Sequence, residues 1–169
     1  QKDRLPQTEL LKEKGYEILY LTDSKDEFAL QVMREFDEKQ FKSVSGEDLD
    51  IEESKEEKEA AEKQAEESKD LLQFMKESLD GKVSEVKLSH RLKSHPVCLT
   101  SKGGLSIEME KVLNAMPTDE KVQAERVLEI NAKHPVLEKL KKEYDTDKDT
   151  VKKYAALLYD QARLIEGLP

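Results

Sequence analysis

The chain has 169 residues, of which 36% are hydrophobic and 40% charged, and its formal net charge is −9. This is little apolar material and much charge for a compact globule, so the excess is expected in an elongated or solvated segment. The acidic balance excludes nucleic acid as a natural partner, because phosphate binding needs clustered Lys and Arg, and no apolar run is long enough to cross a bilayer. One domain or two small ones fit this length. The chain opens on Gln1 rather than Met, as a piece of something longer would. Cys98 is the only cysteine, which excludes an internal disulfide and suits a reducing cytosol. Val97 and Leu99 beside it suggest a strand with a packed thiol.

Residues 1–50 read as a small α/β unit. Leu5, Leu10 and Leu11 lie on a short helix that Pro6 starts and Gly15 ends. Tyr16 to Leu21 predicts a strand, being rich in aromatic and branched residues. Thr22, Asp23 and Ser24 form a turn and cap. Asp26 to Phe36 predicts a helix on the spacing of Phe28, Val32 and Phe36, and Gln40 to Val44 a short strand beside the first. Fifty residues are too few for an independent core. Residues 51–69 then hold eight Glu, four Lys and almost no apolar stripe, the pattern of a charged helical connector. Leu71, Leu72, Met75 and Leu79 continue it as the first helix of a second unit, ending at Asp80-Gly81.

From Lys82 the period becomes two. Val83, Val86 and Leu88 lead a strand to about Arg91, Val97 to Thr100 a second, and Val122 to Ile130 a third. Between the second and third, Gly103-Gly104 and Pro117 bracket a helix. Leu105, Met109, Val112, Leu113 and Met116 share one face of it. Glu108, Glu110, Lys111 and Asn114 take the rest of its surface. An apolar face with two methionines serves either as core or as a deformable binding surface. Pro135 starts a helix through Val136, Leu137, Leu140 and Tyr144, and a charged break spans Asp145 to Asp149. The last helix carries Val151, Ala155, Leu158, Ala162 and Ile165 at heptad spacing. Tyr154, Leu157 and Leu164 form a second row, and two rows suggest a second partner, such as another copy of the chain. The fold class is α+β.

No active site is legible. His90, His95 and His134 are scattered, with no HExxH and no paired Cys for a metal. Cys98 lies near His95, but no third group orients the imidazole. Gly103-Gly104 lacks the Lys and Ser/Thr of a phosphate loop. Glu52-Glu53 and Asp145, Asp147 and Asp149 read as solvated faces and helix starts, the last lacking the Gly and closing Glu of a calcium loop. The residues therefore predict a binding or assembly module with no catalytic, cofactor or metal residues.

Several segments, in order, resemble the heat-shock protein 90 chaperone family, and its bacterial branch most closely. They are Lys14–Asp23, Asp26-Glu27 with Arg34–Asp37, Phe41–Val44, Val83–Leu92, Pro96–Thr100, Met109–Leu113 and Leu128–Pro135. The resemblance implies that residues 1–50 end a middle domain, 51–69 connect, and 70–169 form a C-terminal dimerisation domain. That domain would hold a small three-stranded sheet packed by helices. It implies an ATP-dependent chaperone whose ATP and magnesium site lies in an N-terminal domain outside this sequence, and a bacterial cytoplasmic location. Unfolded client proteins would meet a projecting amphipathic helix at Leu105, Met109, Val112, Leu113 and Met116. An acidic–aromatic pair, Glu27 and Phe28, would face the same cleft, with Phe28 replacing the Trp common in bacterial relatives. A homodimer would form through Val151, Tyr154, Ala155, Leu158, Ala162 and Ile165, weakened if a further bundle helix after Gly167 is missing. The alternative is a structural spacer with no client contact.

Overall fold

The computed structural model describes residues 5–23, 25–46, 49, 51, 55–117 and 121–168. Seven α-helices and two small sheets among these residues make a mixed α+β fold. A 3-10 turn at Pro6–Thr8, with Pro6 in its first turn, leads into α1, Glu9–Glu13. Gly15, at φ +78°, ends this helix in the left-handed region, where a residue without Cβ pays no steric penalty.

Three expectations for the first fifty residues are corrected. Tyr16 to Leu21 is not a strand. Strand propensity reflects packing on a pleated surface, and among the described residues no neighbouring strand pairs with this segment. The helix after it, α2, stops at Met33 rather than Phe36, having begun at Asp26. Arg34 turns to φ 59°, and Phe36 passes into β1, Glu35–Phe36. That strand pairs antiparallel with β2, Lys39–Gln40. Asp37 and Glu38 join them, both at positive φ, as a two-residue hairpin turn of matching twist requires. The strand expected over Gln40–Val44 is therefore only Lys39–Gln40, and its partner is Glu35–Phe36 and not 16–21. Ser24 and Glu52-Glu53 lie outside the described residues.

The helix that the charged composition predicts is present as α3, which spans Lys55–Glu67 with no buried residue. It runs into α4, Lys69–Ser78, with only Ser68 between them. Ser68 keeps the register, its N–H reaching the Gln64 and Ala65 carbonyls while its own carbonyl accepts from Leu72 N–H at 2.9 Å.

The second sheet has the order β3, β5, β4, with β3 at Glu85–Ser89, β4 at Val97–Lys102 and β5 at Glu125–Asn131. β5 is parallel to β3 and antiparallel to β4. Strand alternation sorts the side chains into rows. Val86, Leu128 and Leu99 form one row, and Leu88, Ile130 and Val97 another, both in the main core. On the opposite face Lys87, Glu129 and Cys98 stand in register. Helices α4, α6 (Pro135–Thr146) and α7 (Lys148–Glu166) cover the apolar rows with Met75, Leu137, Leu140, Val151 and Ala155, all fully buried. Asp147 alone separates α6 from α7, so the expected charged break narrows to one capping residue. Its carboxylate accepts from Asp149 N–H, Thr150 N–H and the Thr150 hydroxyl. The Thr150 hydroxyl is the main cause of a lowered pKa for Asp147. Gly167, at φ 67°, ends α7, and Leu168 N–H returns to the Arg163 carbonyl at 2.9 Å.

Candidate functional site

The helix between β4 and β5 is α5, Ile107–Ala115. Ser106 caps it, its hydroxyl oxygen accepting Met109 N–H at 2.9 Å, which satisfies one of the donors a helix start leaves over. The helix is anchored, and not by the side the apolar pattern suggests. Ile107 is fully buried and joins the core. One turn on, the Glu110 carboxylate accepts Ala124 N–H at 2.8 Å and the Arg126 guanidinium at 2.7 Å. Arg126 also donates to the Tyr159 hydroxyl on α7. Burial lowers the pKa of Arg126, but the hydrogen bonds to Tyr159 and Glu110 raise it overall. Asn114 closes the row with a two-way amide pair to Val122 N–H and C=O, at 2.9 and 2.8 Å. Lys111 donates to the Glu166 carbonyl at the end of α7.

The expected client face is thus divided. Met109, at 5% exposure, is buried; Leu105 packs on the core; Val112 and Leu113 are half-buried; Met116 is exposed at 42%. The Leu105–Met116 face is therefore neither wholly core nor wholly outward, and Glu110 and Asn114, expected on the surface, turn inward. The stripe Ile107, Glu110 and Asn114 keeps helical spacing as well as the apolar one does, but two polar members hide it. A buried carboxylate beside a buried guanidinium supplies the pairing that makes this face an inner one.

A cleft of about 2410 Å³ lies between α5, residues 15–46 and the end of α7. Tyr16, Leu19, Met33, Phe36, Val112 and Leu164 line it together with Glu27, and all six apolar residues except half-buried Val112 are exposed. The Ser106 hydroxyl donates to Glu27, so this acid and α5 do meet. Phe28 does not line the cleft.

The row expected to form the dimer seam is divided as well. Val151, Ala155, Leu158 and Ala162 are buried in the chain's own core, and Tyr154 packs against it. Ile165 is half-buried and lines the cleft. Leu157 and Leu164, the outer row, remain exposed at 61% and 78%.

The first residues dock on the edge of this body through polar contacts that sequence reasoning missed. Glu9 accepts from Lys93 N–H, Ser94 N–H and the Ser94 hydroxyl, and pairs with His95 Nδ1 at 2.9 Å. Partial burial raises its pKa, but these hydrogen bonds outweigh it and lower the group from 4.5 to about 2. Gln7 donates to the Leu99 carbonyl and to Glu166. Burial leaves the Glu166 pKa raised despite Gln7 and Lys111. Arg91 donates to the Val44 and Gly46 carbonyls and to Glu129 at 3.0 Å, and Gly46 bridges Ser101 on β4. Glu129 also accepts from the Thr100 hydroxyl at 3.0 Å. The sequence carries no signal for it: an acid between Leu128 and Ile130 reads as the solvent side of an alternating strand.

The candidate reactive groups have structural places. Cys98 is fully buried, and burial with the nearby Glu129 carboxylate pushes its thiol well up, away from the reactive thiolate. His134 caps α6 through Val136 N–H. Among the described residues no three His, Cys, Asp or Glu stand close enough to hold a metal ion, and no helix is long and apolar enough to cross a membrane.

A helix-flanked sheet, an anchored amphipathic helix and an apolar cleft describe a module for binding or assembly. A family model described as Hsp90 protein matches residues 2–169, and the chain belongs to the Hsp90 family. It is 57% identical over 167 residues to the chaperone protein HtpG of Clostridium acetobutylicum, covering 99% of this chain and 26% of that protein. The HtpG of Halalkalibacterium halodurans is 54% identical with the same coverage. That of Shouchella clausii is 55% identical over 166 residues, covering 98% of this chain and 26% of its own. The chain spans about a quarter of the length of these bacterial relatives.

Proposed function

We propose that this chain is a chaperone module that holds unfolded or partly folded client proteins in the cleft beside α5 and pairs with a second copy of itself. In this reading residues 1–50 end a middle domain, 51–69 connect, and 70–169 form the dimerisation domain. The module itself is not an enzyme: ATP and magnesium act elsewhere in a longer, cytoplasmic bacterial protein. The observation that carries the reading is the gathering of Tyr16, Leu19, Met33, Phe36 and Leu164, all exposed, around one cleft with Val112 and Glu27. Exposed apolar residues gathered around one cleft are a usual mark of an interaction site. The client contacts are then Val112 and the cleft residues, with Met116 on the outer end of the helix, rather than Leu105 or Met109. The second copy is proposed to meet Leu157 and Leu164, flanked by Tyr154.

Replacing Phe36 and Val112 together by Ser tests the client site. The expected result is a several-fold loss of protection of an aggregating client with the melting temperature nearly unchanged. Undiminished protection would overturn the proposal. A structural spacer is the second reading, and the burial of Met109 with the anchoring of Glu110 favours it. It predicts that the double replacement changes nothing.

A further inference from the structure

The cap of α5 is itself held by another element. The Ser106 oxygen accepts the Met109 N–H, so its own proton is free to be donated, and it goes to the Glu27 carboxylate in the first turn of α2. A carboxylate acceptor polarises the hydroxyl, which makes the serine oxygen a stronger acceptor for Met109 N–H. Its negative charge also complements the positive end of the helix dipole. The remaining anchors of α5 are Glu110 to Ala124 and Arg126, Asn114 to Val122, and Lys111 to Glu166. These fix the middle and end of the helix from the sheet and α7. Glu27 adds a hold on its start from α2, beside the fully buried Ile107.

We infer that Glu27 is a positioning residue for α5, acting through the Ser106 hydroxyl. The inference deepens the client-site reading above and rests on it for its consequence. Where α2 moves relative to the sheet, the first turn of α5 tightens or frays with it, and Val112 one and a half turns on is presented or withdrawn.

The test is amide exchange at Met109 in the 169-residue chain, compared among wild type, Glu27→Ala, Glu27→Gln, Ser106→Ala and the Glu27→Ala/Ser106→Ala pair. Ser106→Ala is expected to speed exchange at Met109 by about fivefold, the usual worth of a lost cap, and Glu27→Ala by less, because the serine oxygen still accepts the Met109 N–H. The pair should exchange no faster than Ser106→Ala alone, because the two residues act as one unit. Glu27→Gln, which keeps an acceptor oxygen but loses the charge, should fall between wild type and Glu27→Ala. The inference is overturned if Glu27→Ala leaves Met109 unchanged, or speeds it equally with and without the serine. Retention of a reduced, unfolded client by the same variants gives a second arm. Losses in both Glu27→Ala and Ser106→Ala support positioning, and a loss confined to Glu27→Ala overturns it. Client indifference to the Phe36 and Val112 replacements sinks the cleft reading separately, and the exchange cycle then decides the positioning role by itself.

Discussion

Replacing Arg91 by Met strands a buried acid, and the cost follows from its surroundings. The Glu129 side chain is about 1% exposed, and its strongest charged partner is the Arg91 guanidinium at 3.0 Å. Lys87 stands further off at 3.7 Å and is itself partly in water. Breaking a buried ion pair on one side costs roughly 3–5 kcal/mol, because the remaining charge is left uncompensated. Lys87 and the Thr100 hydroxyl stay in place, so a value near the low end, about 3 kcal/mol, is expected. For a chain of this size that lowers the melting temperature by roughly 6–12 °C. Arg91 also donates to the Val44 and Gly46 carbonyls, so the variant should raise amide exchange at Ser101, whose N–H bonds Ser45. Urea unfolding of Arg91→Met, Glu129→Leu and the double variant measures the coupling. Replacing both members of a buried pair by apolar groups is often neutral, so the double variant should be more stable than Arg91→Met alone. A single-variant loss under about 1 kcal/mol, or simple additivity in the cycle, would refute the argument.

Glu9 makes stability pH-dependent in a defined window. Its folded pKa lies at about 2, below the ordinary 4.5, so the unfolded state binds the proton more readily and the stabilisation is complete above about 4.5. It is lost as pH falls from there towards 2; Glu9→Gln should flatten this part of a melting-temperature profile, and an unchanged profile would contradict the hydrogen-bond network. Ile107→Ala should cost about 2–5 kcal/mol by leaving a cavity, whereas Met116→Ala should stay within about 0.5 kcal/mol; similar losses in urea unfolding would mean that the inner and outer faces of α5 are wrongly assigned. Leu157→Glu with Leu164→Glu should shift sedimentation towards monomer at concentrations where wild type associates, without loss of fold, and a dimer that persists would move the proposed contact elsewhere.

The sequence was most legible where one physical signal acted alone. The charged connector is polar on every side, and it appears as α3 with no buried residue. The apolar alternation found β3, β4 and β5 with the right faces inward, although β5 starts at Glu125 rather than Val122, β3 ends at Ser89 rather than about Arg91, and β4 runs on to Lys102; a one-residue slip would turn every side chain to the wrong face. Legibility failed where burial and polarity coincide. Glu110 and Asn114 look like surface residues until Arg126 and Val122 are brought beside them by the β5 strand and the segment before it. Tyr16 to Leu21 failed for the opposite reason: a strand is a property of two segments, and local propensity says nothing about the second.

The two rows of α7 show how a correct pattern can be assigned to the wrong neighbour. Heptad spacing reports that a helix packs along a seam, not what lies across it. Here Val151, Ala155, Leu158 and Ala162 enter the chain's own core. They cannot also meet a partner without opening that core. The residues available for association are those the core leaves over, Leu157 and Leu164. The same reasoning applies to α5, where the body takes Ile107 and Met109 and leaves Met116 in water. On both helices the most regular apolar residues serve the fold, and what remains for recognition is the less regular set at the margin of each seam. Leu164 belongs to both remainders, since it lines the cleft beside Val112 and extends the exposed row of α7. A partner seated on α7 at Leu164 therefore borders the cleft, which ties the proposed dimer surface to the proposed client surface through one side chain.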